Sequence, residues 1–170
     1  MTTSTSQPQS SIMAYQVGVF ALVRQQETYL IVRSRVPLLP GGLHSLPGLV
    51  LGTASGSNVV EAQLRRALLA QAGIAVAELR LVGSHAGRGV QSGVGDARLN
   101  LIFGSEYCSG ILNPRPDELL GAEWMDAGQL LRAGVPDYLL AAVREFETTV
   151  APASAPEPAG RLPRLFGRPK

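Results

Sequence analysis

The chain has 170 residues, of which 45% are hydrophobic and 16% are charged, and its formal net charge is +2. This length and composition fit one globular domain with tails, and the net charge is too small to imply a nucleic-acid partner. Cys108 is the single cysteine, which excludes an intrachain disulfide and a cysteine-ligated metal cluster, and no apolar run approaches the roughly 18 residues that a membrane span needs. These features predict a soluble, cytoplasmic protein with no membrane partner.

The two ends of the chain differ in composition from its middle. Residues 1–13 are rich in Ser, Thr and Gln, and residues 150–170 alternate Pro with Ala before turning basic. Segments of this kind bury too little apolar surface to fold, so we predict disordered tails around a domain that spans residues 14–149.

Two aliphatic runs come first in this domain. QVGVFALV and TYLIVRS are separated by the polar RQQE, a pattern that predicts a β-hairpin. The stretch VPLLPGGLHSLPG follows, and its three prolines and three glycines predict a loop.

The clearest helix signal lies between residues 57 and 73. Ser57 or Asn58 suits the N-cap, and Gly73 suits the residue that ends the helix. An apolar stripe at helical spacing predicts that this helix packs on a sheet, and its members are Val60, Leu64, Leu68 or Ala67, and Gln71.

Two further strands and two short helices complete the pattern. LRLVGSHAGRGV and ARLNLIFGSEYC read as strands around a Gly-rich tip, QSGVGD, and AEWMD reads as a short strand. Helices are predicted from about residue 127 to 132 and from about residue 136 to 148. Strands before, between and after helices indicate an α/β (α+β) fold with a mixed sheet covered by helices.

The stretch from Leu46 to Ile74 resembles the box motif of the Nudix (MutT-like) hydrolase superfamily. LPG stands at residues 46–48, and RALLAQAGI, residues 66–74, matches the end of the box helix. HSLPG and PDELLGAEWMD are similar to the segments that surround the box in that family. The resemblance covers roughly residues 15–147 and implies a Nudix-like α/β/α sandwich with a mixed β-sheet and a nucleotide-type ligand.

The box departs from the family pattern at its metal-binding positions. Counted back from Gly73, the opening glycine of the family falls on Gly52 and its loop glutamate falls on Asn58. The helix glutamates that hold magnesium in the family fall on Ala67, Ala70 and Gln71. Magnesium prefers hard, anionic oxygen ligands, so the box as written is predicted to bind no metal and to require no cofactor.

Three functions stay open from the sequence. The first is binding of a nucleotide or a nucleoside-diphosphate-linked metabolite, with Mg-dependent diphosphate hydrolysis weakened or lost. The second is an active Nudix pyrophosphohydrolase that holds Mg²⁺ or Mn²⁺ through carboxylates outside the box, and the candidates are Glu106, Asp117, Glu118 and Glu123. The third is a non-catalytic interaction module that acts through the basic tail RLPRLFGRPK.

Ligand contacts are predicted near the box at Arg33, Arg35, His44, Gly48 and Arg66. A guanidinium binds phosphate with two hydrogen bonds, and Arg33 and Arg35 are predicted to share a strand face as a pair. For Arg66 a structural role, ordering the box loop near Asn58, is the alternative. A homodimer is left open.

Three other polar residues, Glu61, Arg65 and His85, are predicted to have structural roles. Glu61 lies four residues before Arg65, and this spacing predicts an exposed ion pair on the helix. His85 is expected to be a half-buried strand residue.

Overall fold

The computed structural model describes residues 15–53, 56–88 and 97–150. They form a mixed sheet of eight strands and three helices. The elements are β1 (Tyr15–Gln25), β2 (Thr28–Ser34), β3 (His44–Ser45), β4 (Gly48–Val50), α1 (Val59–Ala72), β5 (Ile74–Val76), β6 (Arg80–Arg88), β7 (Ala97–Gly110), β8 (Leu119–Asp126), α2 (Ala127–Arg132) and α3 (Asp137–Val150). The predicted tails, apart from Val150 at the end of α3, and the QSGVGD tip lie outside the described residues.

Strand β1 is the central strand of the sheet. One of its edges pairs in parallel with β7, from Tyr15 opposite Ala97 to Arg24 opposite Glu106. Its other edge pairs antiparallel with β4 and, at the hairpin end only, with β2. Beyond the hairpin, β2 pairs with β3 in place of β1, and β2 also pairs with β8 along its whole length. The predicted hairpin is confirmed.

Helices cover both faces of the sheet. Alternate residues of a strand point to opposite faces, and Ala21 of β1 packs in one apolar cluster with Leu64 and Leu68 of α1. The next residue, Leu22, packs in the other cluster with Phe146 of α3. The predicted α/β/α sandwich with a mixed sheet is confirmed.

Helix α1 begins and ends close to the predicted residues. Its N-cap is Asn58, which has a φ of 54° and makes no side-chain capping hydrogen bond. Its last residue is followed by Gly73 in the left-handed region, with a φ of 73°, and the Gly73 N–H donates to the carbonyl of Leu69 at 3.1 Å. Glycine adopts this conformation without strain, which is why the helix stops there.

Arg65 is exposed, but it does not pair with Glu61 as the spacing predicts. Its guanidinium donates hydrogen bonds to the carbonyls of Val76 and Ala77 at 2.5 and 2.7 Å. Glu61 makes no ion pair within the described ranges, so the predicted pair is wrong. Arg65 instead ties α1 to the end of β5.

None of the helices in the described residues is long and apolar enough to cross a membrane.

The contact between β7 and α3 generates a stability prediction. A Cβ at Gly104 would lie 2.5 Å from Cδ2 of Phe146, whereas a Cβ at Gly52 would meet no atom within 4 Å. We expect Gly104→Ala to lower the free energy of unfolding by about 1–3 kcal/mol because it overpacks this contact. We expect Gly52→Ala to change it by less than about 0.5 kcal/mol. Urea denaturation measures both, and equal stabilities would contradict the described packing of α3.

Candidate functional site

Gln71, in the last turn of α1, binds the backbone of Gly48 in β4 at both of its polar groups. Its Nε2 donates to the Gly48 carbonyl at 2.9 Å, and its Oε1 accepts from the Gly48 N–H at 3.2 Å. Gly48 is buried, and a Cβ there would lie 2.6 Å from Cδ1 and 2.8 Å from Cα of Phe20. Glycine is therefore required at this position, and we call the pair of hydrogen bonds the amide clasp.

A groove of about 430 Å³ runs beside the clasp along α1, and we call it the helix groove. It is lined by Leu49, Gln63, Arg66, Ala67, Ala70, Gln71 and Glu118. Arg66 is exposed and has no hydrogen-bond or ion-pair partner within the described ranges. Its predicted hydrogen bonds to the Asn58 region are not formed there, which leaves its guanidinium available in the groove.

A second space, which we call the cleft, adjoins the helix groove and has a volume of about 200 Å³. It shares Gln71 and Glu118 with the groove. The cleft is lined by Ser34, Arg35, Val36, Leu38, Leu46, Gly48, Gln71, Asp117, Glu118 and Leu119. Arg35 is held at its wall because its Nε donates to the Pro116 carbonyl at 2.5 Å and its N–H donates to the Glu118 carbonyl at 2.9 Å.

The segment between β7 and β8 closes this side of the cleft. The N–H of Asn113 donates to the carbonyl of Ala72 at 2.9 Å, and that of Arg115 donates to the carbonyl of Gln71 at 2.8 Å. These bonds satisfy carbonyls that the end of α1 leaves free. They also place Asp117 and Glu118 beside the clasp, where both carboxylates lie 3.6–3.7 Å from the Arg115 guanidinium in exposed, weak ion pairs.

Glu106 lies on the opposite face of the sheet from the helix groove. It pairs with Arg24 of β1 at 2.5 and 2.9 Å, and the Arg24 guanidinium lies 5.2 Å from the centre of the Phe146 ring of α3. The hydrogen bond to Glu106 raises the pKa of Arg24. This candidate metal ligand is thus held on the α3 side of the sheet.

Arg33, His44 and Glu123 also lie on the α3 side. Glu123 of β8 is opposite Ile31, a member of the α3-side cluster, and Arg33 is opposite both His44 and Gly121. The Arg33 guanidinium lies over Gly121, where a Cβ would come within 2.8 Å of Nη2. None of the three residues lines the cleft or the helix groove.

The predicted pairing of Arg33 with Arg35 on one strand face is wrong. The β2–β8 pairing shifts register between Arg33 and Ser34, and β2 ends at Ser34. Arg35 therefore does not continue the face of Arg33, and it is Arg35 that lines the cleft.

The residues at the box positions do not fit a magnesium ion. Ala67 and Ala70 offer methyl groups, and the amide of Gln71 is engaged by Gly48 at both ends. Across residues 15–53, 56–88 and 97–150, no group of three or more His, Cys, Asp or Glu side chains is arranged to hold a metal ion. The helix groove contains one acid, Glu118, whereas magnesium prefers several anionic oxygens.

Sequence reasoning treated Gln71 as a missing ligand and did not identify the amide clasp. The chemistry of the side chain could have indicated this role. A primary amide carries a donor and an acceptor, so it can bind the N–H and the carbonyl of one backbone residue, whereas a carboxylate only accepts hydrogen bonds. What the sequence did not reveal was the distance from α1 to β4, which depends on Gly48.

The fold is that of the Nudix hydrolases, as comparison with solved structures shows. A NUDIX hydrolase from Nitrosomonas europaea matches with a TM-score of 0.59 and 17% identity, covering 80% of this chain and 90% of that one. The NUDIX domain of Shewanella oneidensis NrtR, complexed with ADP ribose, matches with a TM-score of 0.61 and 14% identity over 84% and 94% of the two chains. An ADP-ribose pyrophosphatase from Streptococcus suis matches with a TM-score of 0.58 and 16% identity over 82% and 96%.

A scan against protein-family models gives no match, and a search of curated proteins gives none either.

Because the described residues offer no set of side-chain ligands that fits magnesium, we predict that this ion does not stabilise the protein. A ligand that binds only the native state raises the midpoint of thermal unfolding by mass action. We expect millimolar magnesium chloride to leave the midpoint of the ligand-free protein unchanged relative to sodium chloride of equal ionic strength. A saturable rise with magnesium alone, recorded by differential scanning fluorimetry, would contradict the prediction.

The amide clasp generates a pH-dependent prediction. In Gln71→Glu one carboxylate oxygen replaces the donor that faces the Gly48 carbonyl, so we expect a loss of about 1–3 kcal/mol at pH 7. A protonated carboxyl restores the donor, which raises the folded-state pKa of the new group above its unfolded value of about 4.3. The lost stability therefore returns below about pH 4.3 and disappears as the pH rises through the folded-state pKa.

Urea denaturation between pH 4 and pH 7 measures this effect relative to the parent protein. Gln63→Glu is the matched control because Gln63 lines the same groove but makes no side-chain hydrogen bond in the described part of the chain. Equal losses in the two variants would show that charge in the groove, and not the clasp, determines the result.

Proposed function

We propose, on the basis of the Nudix-like fold, that this domain binds a nucleotide or a nucleoside-diphosphate-linked metabolite in the cleft and helix groove. In this proposal, Mg-dependent diphosphate hydrolysis is weakened or lost. The observation that carries the proposal is the amide clasp. Gln71 stands where the resemblance places a magnesium-binding glutamate, and its amide is bonded to Gly48 at both ends. The position contributes to the structure of the domain and offers no anionic oxygen to a metal.

Arginine side chains supply the positive charge for the diphosphate in this proposal. Arg66 in the helix groove has no partner in the described ranges, and Arg35 at the cleft uses its Nε and leaves both Nη groups without a described acceptor. A guanidinium makes short, charge-assisted hydrogen bonds to phosphate oxygens. These two residues bind the ligand directly, without a metal bridge.

The cleft supplies an apolar surface for the rest of the ligand. Val36, Leu38 and Leu46 line it beside polar groups, a combination typical of sites for small molecules. The ligand class is supported by two similar structures, one complexed with ADP ribose and one described as an ADP-ribose pyrophosphatase. A base or sugar would lie on the apolar wall while the diphosphate faces Arg66.

An active pyrophosphohydrolase is the second candidate, and one observation favours it. Glu118 lines both the cleft and the helix groove, and Asp117 lies next to it. Magnesium is often held by one or two carboxylates together with substrate phosphates, so this pair would hold Mg²⁺ or Mn²⁺ only when the ligand is bound. Turnover in the presence of the metal distinguishes this candidate from binding alone.

The proposal also covers the cellular location of the domain and its partners. We place the domain in the cytoplasm because a single cysteine suits a reducing compartment. The interaction module with the basic tail stays a prediction, since the tail lies outside the described residues.

Calorimetric titration with ADP ribose and with nucleoside diphosphates, with and without magnesium, tests the proposal. We expect binding in both conditions and no phosphate or monophosphate release. Arg66→Gln and Arg35→Gln should each raise Kd about tenfold or more, because a hydrogen bond to a charged group contributes about 1.5–3 kcal/mol. Arg132→Gln, an exposed arginine of α2 that lines neither space, is the matched control and should leave Kd unchanged.

Two outcomes would decide against binding without hydrolysis. Magnesium-dependent hydrolysis that Glu118→Gln abolishes would support the second candidate. The absence of binding by every compound, with the protein folded, would overturn the proposal.

A further inference from the structure

An apolar groove lies between α2 and α3, and we call it the leucine groove. Its volume is about 180 Å³, and its walls include Leu130 and Leu131 of α2 and Leu140 and Val143 of α3. Leu130 and Val143 are buried, whereas Leu131 is 64% exposed. The groove therefore has an apolar floor and an apolar rim that a further apolar side chain can cover.

A polar space adjoins the leucine groove, and we call it the acidic hollow. It has a volume of about 490 Å³ and shares Glu147 with the groove. Its lining also includes the carboxylates of Glu27 and Asp126. Arg24 lines the hollow as well, but its guanidinium is hydrogen-bonded to Glu106 at 2.5 and 2.9 Å, which offsets its charge. The lining of the hollow is thus acidic.

The chain leaves α3 beside both spaces. Leu140, Val143, Glu147 and Val150 recur at helical spacing, so they lie along one face of α3, and Val150 ends that face. From Val150 back to Leu140 the face is about 15 Å long, at 1.5 Å per residue. The ten residues 151–160 follow, and an extended segment of this length spans about 31 Å. The residues after 160 can therefore reach the whole of the leucine groove.

The sequence of residues 161–170, RLPRLFGRPK, matches the two spaces in kind. It interleaves two leucines and a phenylalanine with four cations, and it contains no acid. Residues three apart share a face both in an α-helix and in polyproline II. Leu162 and Leu165 can therefore enter an apolar groove while Arg161 and Arg164 face an adjoining acidic surface.

We propose that the segment of residues 161–170 docks on its own domain, with its leucines in the leucine groove and its arginines at the acidic hollow. Docking covers the exposed surface of Leu131 and brings cations to the carboxylates of the hollow. Arg144 lines the leucine groove but not the hollow, which favours the hollow as the place of the arginines. The contact does not rest on the proposed function, because other residues line the cleft and the helix groove.

Limited digestion of the full chain with trypsin tests the contact, because trypsin cleaves after Arg161 and Arg164. A tethered segment binds at an effective concentration of about a millimolar, so a weak contact suffices to protect it. We expect Leu131→Asp to speed cleavage after Arg164 about tenfold, as for a segment that is docked about nine-tenths of the time. This variant places a charge in the groove and leaves the cleaved sequence unchanged.

Leu81→Asp is the matched control. Leu81 of β6 is 59% exposed, and it is opposite Phe103, which packs against the cluster on the α1 side of the sheet. We expect this variant to leave the rate unchanged. If a charged variant fails to fold, Leu131→Gln and Leu81→Gln make the same comparison without adding a charge.

A second pair of variants tests the charges of the hollow. Glu27→Gln removes a carboxylate from an exposed residue of the hollow and should speed cleavage about twofold, the effect of one exposed ion pair. Glu61→Gln removes a carboxylate from α1, on the other face of the sheet, and should leave the rate unchanged. Equal rates for these two variants would overturn the assignment of the arginines to the hollow.

Three results would overturn docking in the leucine groove. Equal cleavage of the parent protein and Leu131→Asp would show that the segment does not occupy the groove. Equal acceleration by Leu131→Asp and Leu81→Asp would attribute the effect to the loss of an exposed leucine in general. Protection that disappears on dilution would place the segment on a second copy of the chain. Calorimetry with ADP ribose is independent of all three, so failure here leaves the proposed function standing.

Discussion

Gly48 is the constraint on which the site depends, because the sheet and α1 meet at its backbone. Its missing side chain lets β4 lie against Phe20 of β1, and the same closeness brings its N–H and carbonyl within reach of Gln71. The clasp holds the last turn of α1 against β4, and the end of α1 receives the segment that carries Glu118. The walls of the cleft and of the helix groove follow from this one approach of two backbones.

The two faces of the sheet use polar groups differently. On the α1 side the contacts between elements are neutral or go to backbone carbonyls, as with Gln71 on Gly48 and Arg65 on the end of β5. On the α3 side the sheet carries an ion pair, Arg24 with Glu106, and the buried guanidinium of Arg98. The buried guanidinium and the Arg24–Glu106 pair thus lie on the face away from α1, whereas the helix groove beside α1 is lined by the exposed Arg66 and Glu118.

Local signals predicted the elements well, and distant contacts explain what they did not predict. The hairpin, the bounds of α1 and the last two helices follow from periodicity, turn residues and Gly73. Strand β8 is longer than AEWMD suggests because it pairs with β2 along its length. The candidate site could be predicted only in part. Gly48 lines the cleft and Arg66 lines the helix groove, two spaces that share Glu118. The faces of Glu106 and Glu123 depend on strand register, which no local pattern specifies.

The alanines of the helix groove, Ala67 and Ala70, affect the stability of α1. Carboxylates at positions 67, 70 and 71 would be three and four residues apart, and like charges at that spacing destabilise a helix when no cation lies between them. Alanine has the highest helix propensity, and Gln71 adds two hydrogen bonds to Gly48. Residues 67, 70 and 71 therefore favour a stable helix in the absence of a cation. Carboxylates at these positions would need a bound cation, or other contacts of the domain, to offset their mutual repulsion.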